Sequence, residues 1–334
     1  MKKTAILAIT PGGRNLAAGL AKELPGGEHI ASNEKVAQQL ARLWERYDAI
    51  VCIMATGIVV RAIAPLVSSK HRDPAIVVMD EKGRFAIGLL SGHLGGANDL
   101  AGHVAAITGG RAVITTASDT LGLTSIDLWA RGRQLTANSH RQLTRAAAYL
   151  AANGAIPVYC EIPGHLPSDF TPISSPEAAR IIISGKRGWP GDRLVLHPPL
   201  YVIGCGCKRG TGEQEFEEAL LQLCTGSKLA RQSIVKLASI DLKKDEKGLL
   251  RFAAENGWEI EFFTKHQLNS VSGVGRSEAV LQATGAQGVA EPAALLAAGT
   301  DQLITGKKKC KNTTMAAAAV PYTLSARDPA ISTT

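Results

Sequence analysis

The chain has 334 residues, 45% of them apolar and 4% aromatic, and a net charge of +8. That length allows two or three domains with ordinary buried cores. The positive excess suits an acidic small molecule, while the lack of a basic tract interleaved with aromatics, of a zinc pattern and of a helix-turn-helix argues against nucleic acid. Cysteines 52, 160, 205, 207, 224 and 310 form no secreted-type framework, which points to a reducing cytoplasm. The apolar run at 5–9 is shorter than the about 7–15 residues of a signal-peptide core. No stretch approaches the roughly 20 apolar residues of a membrane span.

In chain order, strand patterns at 4–10 and 49–54 alternate with helix patterns at 16–24, 35–44 and 57–66. Runs at 75–79 and 85–90 flank the turn Asp80-Glu81-Lys82-Gly83 and read as a hairpin. A helix over 97–107 and a strand over 112–115 follow. Continuous apolar strands between helices predict a mainly parallel sheet covered on both faces, a three-layer α/β domain over 1–135. Residues 136–198 read as a small middle segment: a helix at 142–153, strands at 156–160 and 180–184, a Pro/Ser-rich passage and a loop-like string at 185–191. A second α/β domain spans 199–322, with strands at 201–204, 234–239, 259–263, 302–305 and 314–320 and helices at 213–224, 245–256, 277–284 and 292–298. Residues 323–334 lack periodicity and are expected to fray.

The first site candidate is Ser91-Gly92-His93-Leu94-Gly95-Gly96-Ala97-Asn98-Asp99, where a strand meets a helix through glycines. Free N–H groups and a helix dipole favour anions there. An imidazole can take a proton from water and return it, so His93 is the candidate base. Asp99 and His103 lie four residues apart on the following helix, a spacing equally suited to a plain surface pair. Two further strand ends, Thr56-Gly57 with Arg61, and Thr115-Thr116-Ala117-Ser118-Asp119 with its hydroxyls and carboxylate, are placed on the same carboxyl edge of the sheet. In the second half, Gly204-Cys205-Gly206-Cys207-Lys208-Arg209-Gly210-Thr211 offers a backbone nest and two cations without a Walker or dinucleotide spacing. Cys205 and Cys207 lack partner ligands, so no metal is assigned. Ser277, Glu278 and Glu291 stand at helix starts. No Ser-His-Asp order or nucleophile elbow nominates a serine.

The stretches Met54 to Pro65, Asp73 to Asp80 and Leu90 to Ala101 closely resemble the amino-terminal domain of the CbiG family of cobalamin biosynthesis. Gly204 to Thr211, Leu237-Ala238-Ser239, Gly273 to Glu278 and Gly288 to Glu291 resemble the CbiG/CobE carboxyl-terminal domain. The resemblance implies a cobalt-precorrin-5A hydrolase, which opens a δ-lactone on a cobalt corrinoid and releases acetaldehyde. Cobalt then belongs to the substrate, and no separate cofactor is expected. On that footing His93, aided by Asp99 or Asp119, activates water. Amides near Gly92, Gly95 and Gly96 steady the oxyanion. Thr56, Gly57, Arg61, Ser91, Asn98, Thr116, Gly206, Lys208, Arg209, Thr211, Ser277 and Glu291 bind the carboxylate-fringed substrate. A homodimer and transient contacts with other enzymes of the pathway stay open. The rival readings are a non-catalytic corrinoid carrier and a nucleotide-binding regulator.

Overall fold

A computed structural model describes residues 3–69, 72–93, 95–189 and 191–325. The chain divides into two compact units, Met1–Trp129 and the remainder from Ala130 onward. In the first, β1 (Thr4–Ala8), β2 (Gly27–His29), β3 (Ala49–Ile53), β4 (Ala75–Met79), β5 (Phe85–Leu90) and β6 (Arg111–Val113) form one sheet in the order β2-β1-β3-β4-β5-β6. The helices between them are α1 (Pro11–Glu23), α2 (Val36–Leu43), α3 (Thr56–Ile63) and α4 (Ala97–Thr108), and α5 (Ala117–Leu121) and α6 (Ile126–Gly132) follow β6.

Strand alternation explains the layers, because successive side chains leave opposite faces. Ile6, Val51 and Val77 pack with Ala17 and Leu20 of α1 and with Ala101 and Val104 of α4. Their neighbours Leu7, Ile50, Cys52, Ile76 and Val78 pack with Leu40 and Leu43 of α2 and Val59 of α3. Both faces are covered, giving the expected three-layer sandwich.

One pairing reverses the sheet. Asp80 accepts from the N–H groups of Lys82 and Phe85 at 2.9 and 2.7 Å, and Gly83 takes φ +67. This tight turn sends β5 back antiparallel to β4, Met79 facing Ala86 and Ile76 facing Leu90. All other neighbours in the sheet are parallel.

The second unit holds two sheets. The residues read as a small middle segment build a five-stranded sheet of their own, in the order β7-β11-β10-β8-β9. Its strands are β7 (Thr136–Ala137), β8 (Ile156–Cys160), β9 (Phe170–Pro172), β10 (Ile181–Ile183) and β11 (Leu194–His197), and α7 (His140–Asn153) lies between β7 and β8. The strands at 136–137, 170–172 and 194–197 escape sequence reading because two to four residues leave no period to detect.

The last sheet has the order β14-β13-β12-β16-β15, from β12 (Tyr201–Cys207), β13 (Ile234–Ile240), β14 (Glu259–Phe263), β15 (Leu303–Cys310) and β16 (Thr313–Ala319). Its helices are α8 (Glu213–Gly226), α9 (Lys247–Asn256), α10 (Lys265–Asn269), α11 (Glu278–Thr284) and α12 (Ala290–Ala298). Phe216 of α8 and Phe252 of α9 stack on one face, over Ile203, Cys205 and Leu237, while Ala293 and Ala294 of α12 cover Val202 and Ala238 on the other. A Cβ at Gly204 would stand 1.9 Å from the Ala290 carbonyl oxygen, so glycine there lets α12 lie directly on the sheet.

The start of the expected frayed tail is docked instead. Leu324 is 1% exposed, its N–H donates to Pro163 O at 2.9 Å, and its carbonyl accepts from Arg133 Nε at 2.8 Å. Residues 326–334 lie outside those described. Among the described residues no helix is long and apolar enough to cross a membrane.

Candidate active site

Because β5 runs against β4, its carboxyl end lies beside the amino end of β4, and β6, parallel to β5, ends there too. This edge collects the loop after β5 and the α5 turn after β6. Ser91 takes φ +56 and donates to Asp73 O at 3.0 Å, just before β4 begins. His93 thereby meets the Thr116–Asp119 segment. Its Nε2 lies 2.9 Å from Asp119 Oδ2 and 3.1 Å from Ser118 Oγ. Its Nδ1 lies 3.3 Å from Ser125 Oγ and 3.8 Å from Asp127 Oδ1. Ser125 in turn donates to Asp127, whose Oδ1 also accepts the Leu128 N–H at 2.9 Å.

Asn98, on the first turn of α4, is 7% exposed and holds the carboxylate in place. Its Nδ2 donates to Thr116 Oγ1 at 2.7 Å and to Asp119 Oδ2 at 3.0 Å. Its Oδ1 rests on the backbone of Gly88 and Gly92, where an added Cβ would come within 2.7 and 2.8 Å of it. Those two glycines therefore make room for the amide. Asn98 thus links Thr116 and Asp119, bonding to both through one amide nitrogen.

The helix-end amides are less open than the sequence suggests. Ala97 N and Asn98 N donate to the carbonyls of Ser91 and Gly92 at 3.1 and 3.0 Å, and Gly96 N donates to His93 O at 3.0 Å. Gly96 at φ +87 lets the loop fold onto its own helix. Leu94 lies outside the described residues. Asp99 and His103 are exposed on α4, and among the described residues neither makes an ion pair with the other or with His93.

Thr56, Gly57 and Arg61 do not join this cluster. They follow the carboxyl end of β3, which lies beside the carboxyl end of β4, at the opposite edge from His93. The expectation of one shared edge fails because the Asp80 turn inverts β5 and β6. Arg61 is exposed and bonds back to Gly57 O at 3.1 Å, so no buried cation needs an anion.

In the second unit, Lys208 and Arg209 follow β12 at the carboxyl edge of its pairing with β13. Arg209 Nη1 is matched by Asp245 at 2.5 Å and lies 4.0 Å from Glu246, so its charge is largely answered within the fold. Glu246 also accepts the Gly210 N–H at 3.0 Å and pairs with buried Lys243 at 3.3 Å. Thr211 is 3% exposed and donates to Lys208 O at 2.8 Å, a closure of the turn. Lys208 is exposed. Gly206 has only ordinary contacts around a would-be Cβ, with Val289 at 3.6 Å. Burial pushes the Cys207 thiol up to about 11, with Lys243 pulling weakly the other way, and Cys205 packs into the same core. Glu291 clamps a loop: its Oε2 accepts from Gly275 N at 3.1 Å and its Oε1 from Lys307 N at 2.9 Å. Ser277 precedes α11 and donates its N–H to Gln287 O at 2.9 Å.

Ser125 and Asp127 are the members that sequence reading missed. They lie 32 and 34 positions from His93, and no motif spacing links them to it. The fold and site define a mainly parallel α/β protein with an imidazole set between carboxylates and hydroxyls, the equipment of a proton-transferring enzyme. Comparison with known proteins gives the family. The model described as cobalamin synthesis G N-terminal matches residues 38–119, and that described as cobalamin synthesis G C-terminus matches 201–318. The cobalt-precorrin-5A hydrolase of Priestia megaterium is 35% identical over 86% of this chain and 82% of its own length. That of Salmonella typhimurium is 31% identical over 75% and 78%. A solved structure of a putative cobalamin biosynthesis protein G homolog from Sulfolobus solfataricus is 24% identical, covering 96% of this chain and 97% of its own, with a TM-score of 0.38. The chain belongs to the CbiG family.

Proposed function

We propose that this chain is a cobalt-precorrin-5A hydrolase, opening the δ-lactone of that cobalt corrinoid and releasing acetaldehyde to give cobalt-precorrin-5B. Family membership supports the substrate, since both curated relatives carry that name. The observation that carries the chemistry is the His93–Asp119 pair at 2.9 Å, braced by buried Asn98. A carboxylate on one ring nitrogen orients the imidazole, so the other can take the proton of the attacking nucleophile and return it to the leaving oxygen. Hydrolysis needs only water as co-reactant, and the cobalt arrives with the substrate, so the chain requires no cofactor of its own. The corrinoid's acetate and propionate groups suit a chain with excess positive charge, and exposed Lys208 is the better placed cation of the second-unit pair. Gly92 is the loop position proposed for contact with the lactone. A cytoplasmic home fits a pathway of soluble intermediates. The carrier reading is not favoured, because a carrier has no use for a braced imidazole.

The test is to incubate the purified protein with cobalt-precorrin-5A and assay acetaldehyde. Wild type should release it. His93→Ala should lower the rate by about a hundredfold or more while keeping the melting temperature and corrinoid binding. Undiminished release by that variant would remove His93 from the mechanism.

A further inference from the structure

A carboxylate can only accept, so the ring nitrogen 2.9 Å from Asp119 must carry the proton, and Nε2–H donates to it. Ser118, which shares that nitrogen at 3.1 Å, then has no lone pair there to receive its own proton. In the neutral ring the lone pair is on Nδ1, and the group facing it is Ser125 Oγ at 3.3 Å. A water seeking activation by His93 therefore finds both nitrogens occupied by protein groups. The hydroxyl oxygen beside the basic nitrogen is that of Ser125, one rotation of its O–H away from giving Nδ1 its proton.

Ser125 is also the cap of a helix turn, since its carbonyl accepts the Trp129 N–H at 2.9 Å, so its backbone is held. Asp127 Oδ1 holds the single hydroxyl proton in this structure, so the O–H must turn about Cβ–Oγ from Asp127 to Nδ1 before it can be transferred. Ser125, His93 and Asp119 form the nucleophile, base and orienting carboxylate of acyl-transfer enzymes, with the two ring nitrogens exchanging their usual roles.

Building on the lactone-opening reading above, we propose that Ser125 is the nucleophile and that the reaction passes through a Ser125 ester. Ser125 Oγ bonds to the lactone carbonyl carbon while its proton passes to His93 Nδ1. The ring C–O bond breaks and its oxygen leaves with that proton as a hydroxyl. Water then adds to the ester carbonyl, giving a proton to Nδ1. The Ser125 C–O bond breaks, and Oγ recovers the proton. The net change is lactone plus water to hydroxy acid, with no oxidant or reductant.

The experiment mixes protein and cobalt-precorrin-5A in single turnover, quenches in acid, and reads acetaldehyde and the intact protein mass. Wild type should show a transient adduct of the substrate's mass, mapping to the peptide that contains Ser125. Ser125→Ala should give no adduct and lose about a thousandfold in rate. Ser125→Cys, which preserves a nucleophile at the same place, should still acquire the adduct. This guards against reading a folding defect as chemistry. Equal acetaldehyde release by Ser125→Ala and wild type, or an adduct that maps elsewhere, overturns the role of Ser125 and leaves the hydrolase reading standing. No acetaldehyde from wild type overturns the hydrolase reading itself.

Discussion

Asn98 follows the glycine loop, a place that suggests contact with substrate in the sequence; in the structure it is buried and its Nδ2 donates to Thr116 and to Asp119. Asn98→Ala should cut kcat by about a hundredfold, the cost of misplacing a reacting group by an ångström, with KM little changed. Asn98→Asp should do no better, because it sets a like charge against Asp119. A variant whose KM rises while kcat holds would restore the substrate-contact role. The thiols give a second check. Burial raises Cys52 and Cys207, to about 12 and about 11, so the native protein should resist iodoacetamide at pH 8 at both, and urea should expose them. Rapid native labelling of half-buried Cys207 would contradict its raised thiol. His197 is a third. Burial lowers its proton affinity below the ordinary 6.5, and the Ser184 carbonyl offsets this only in part. The unfolded chain then binds the extra proton as pH falls through and below about 6.5, so stability is full above that pH and declines on acidification. His197→Gln should flatten the fall in melting temperature between pH 7 and pH 5. Unchanged slopes would exclude His197 as its source.

Elements, more than residues, decided which candidates meet. The hairpin at Asp80 was legible from its turn residues and from the two apolar runs flanking it. Its consequence was not, because direction is a property of the sheet and not of any window of sequence. By inverting β5 and β6 it gathers His93, Asn98 and Asp119 and leaves Thr56, Gly57 and Arg61 on the far edge. The glycines at 204 and 206 carry a similar lesson. Both read as a ligand nest, yet Gly204 is where α12 touches the sheet, with the Ala290 carbonyl 1.9 Å from a would-be Cβ. Gly204→Ala should destabilise by about 1–3 kcal/mol through overpacking, while Gly206→Ala, with its nearest neighbour at 3.6 Å, should be tolerated on packing grounds. Urea midpoints of the two variants settle the contrast, and equal losses would refute it.

In the whole chain, sheets of the second unit draw together segments with no local mark of order. Leu324 sits among residues without periodicity, yet it is buried and bonded to Pro163 and Arg133, and Tyr322 donates to Arg133 O at 2.6 Å. Leu324→Ala should therefore cost about 2–5 kcal/mol, seen as a lower urea midpoint. A neutral result would mean the segment is merely resting on the surface.

Apolar runs, turn residues and long family motifs were enough to read three-layer α/β architecture, the hairpin and membership of the CbiG family, since each depends on local pattern or on residues adjacent in the chain. Strand direction, the sheet at 136–197, the docking of Leu324 and the Ser125–Asp127 pair beside His93 depend on partners that no single run of the sequence contains. Their positions follow from which strand pairs with which, and only the packed molecule settles that choice.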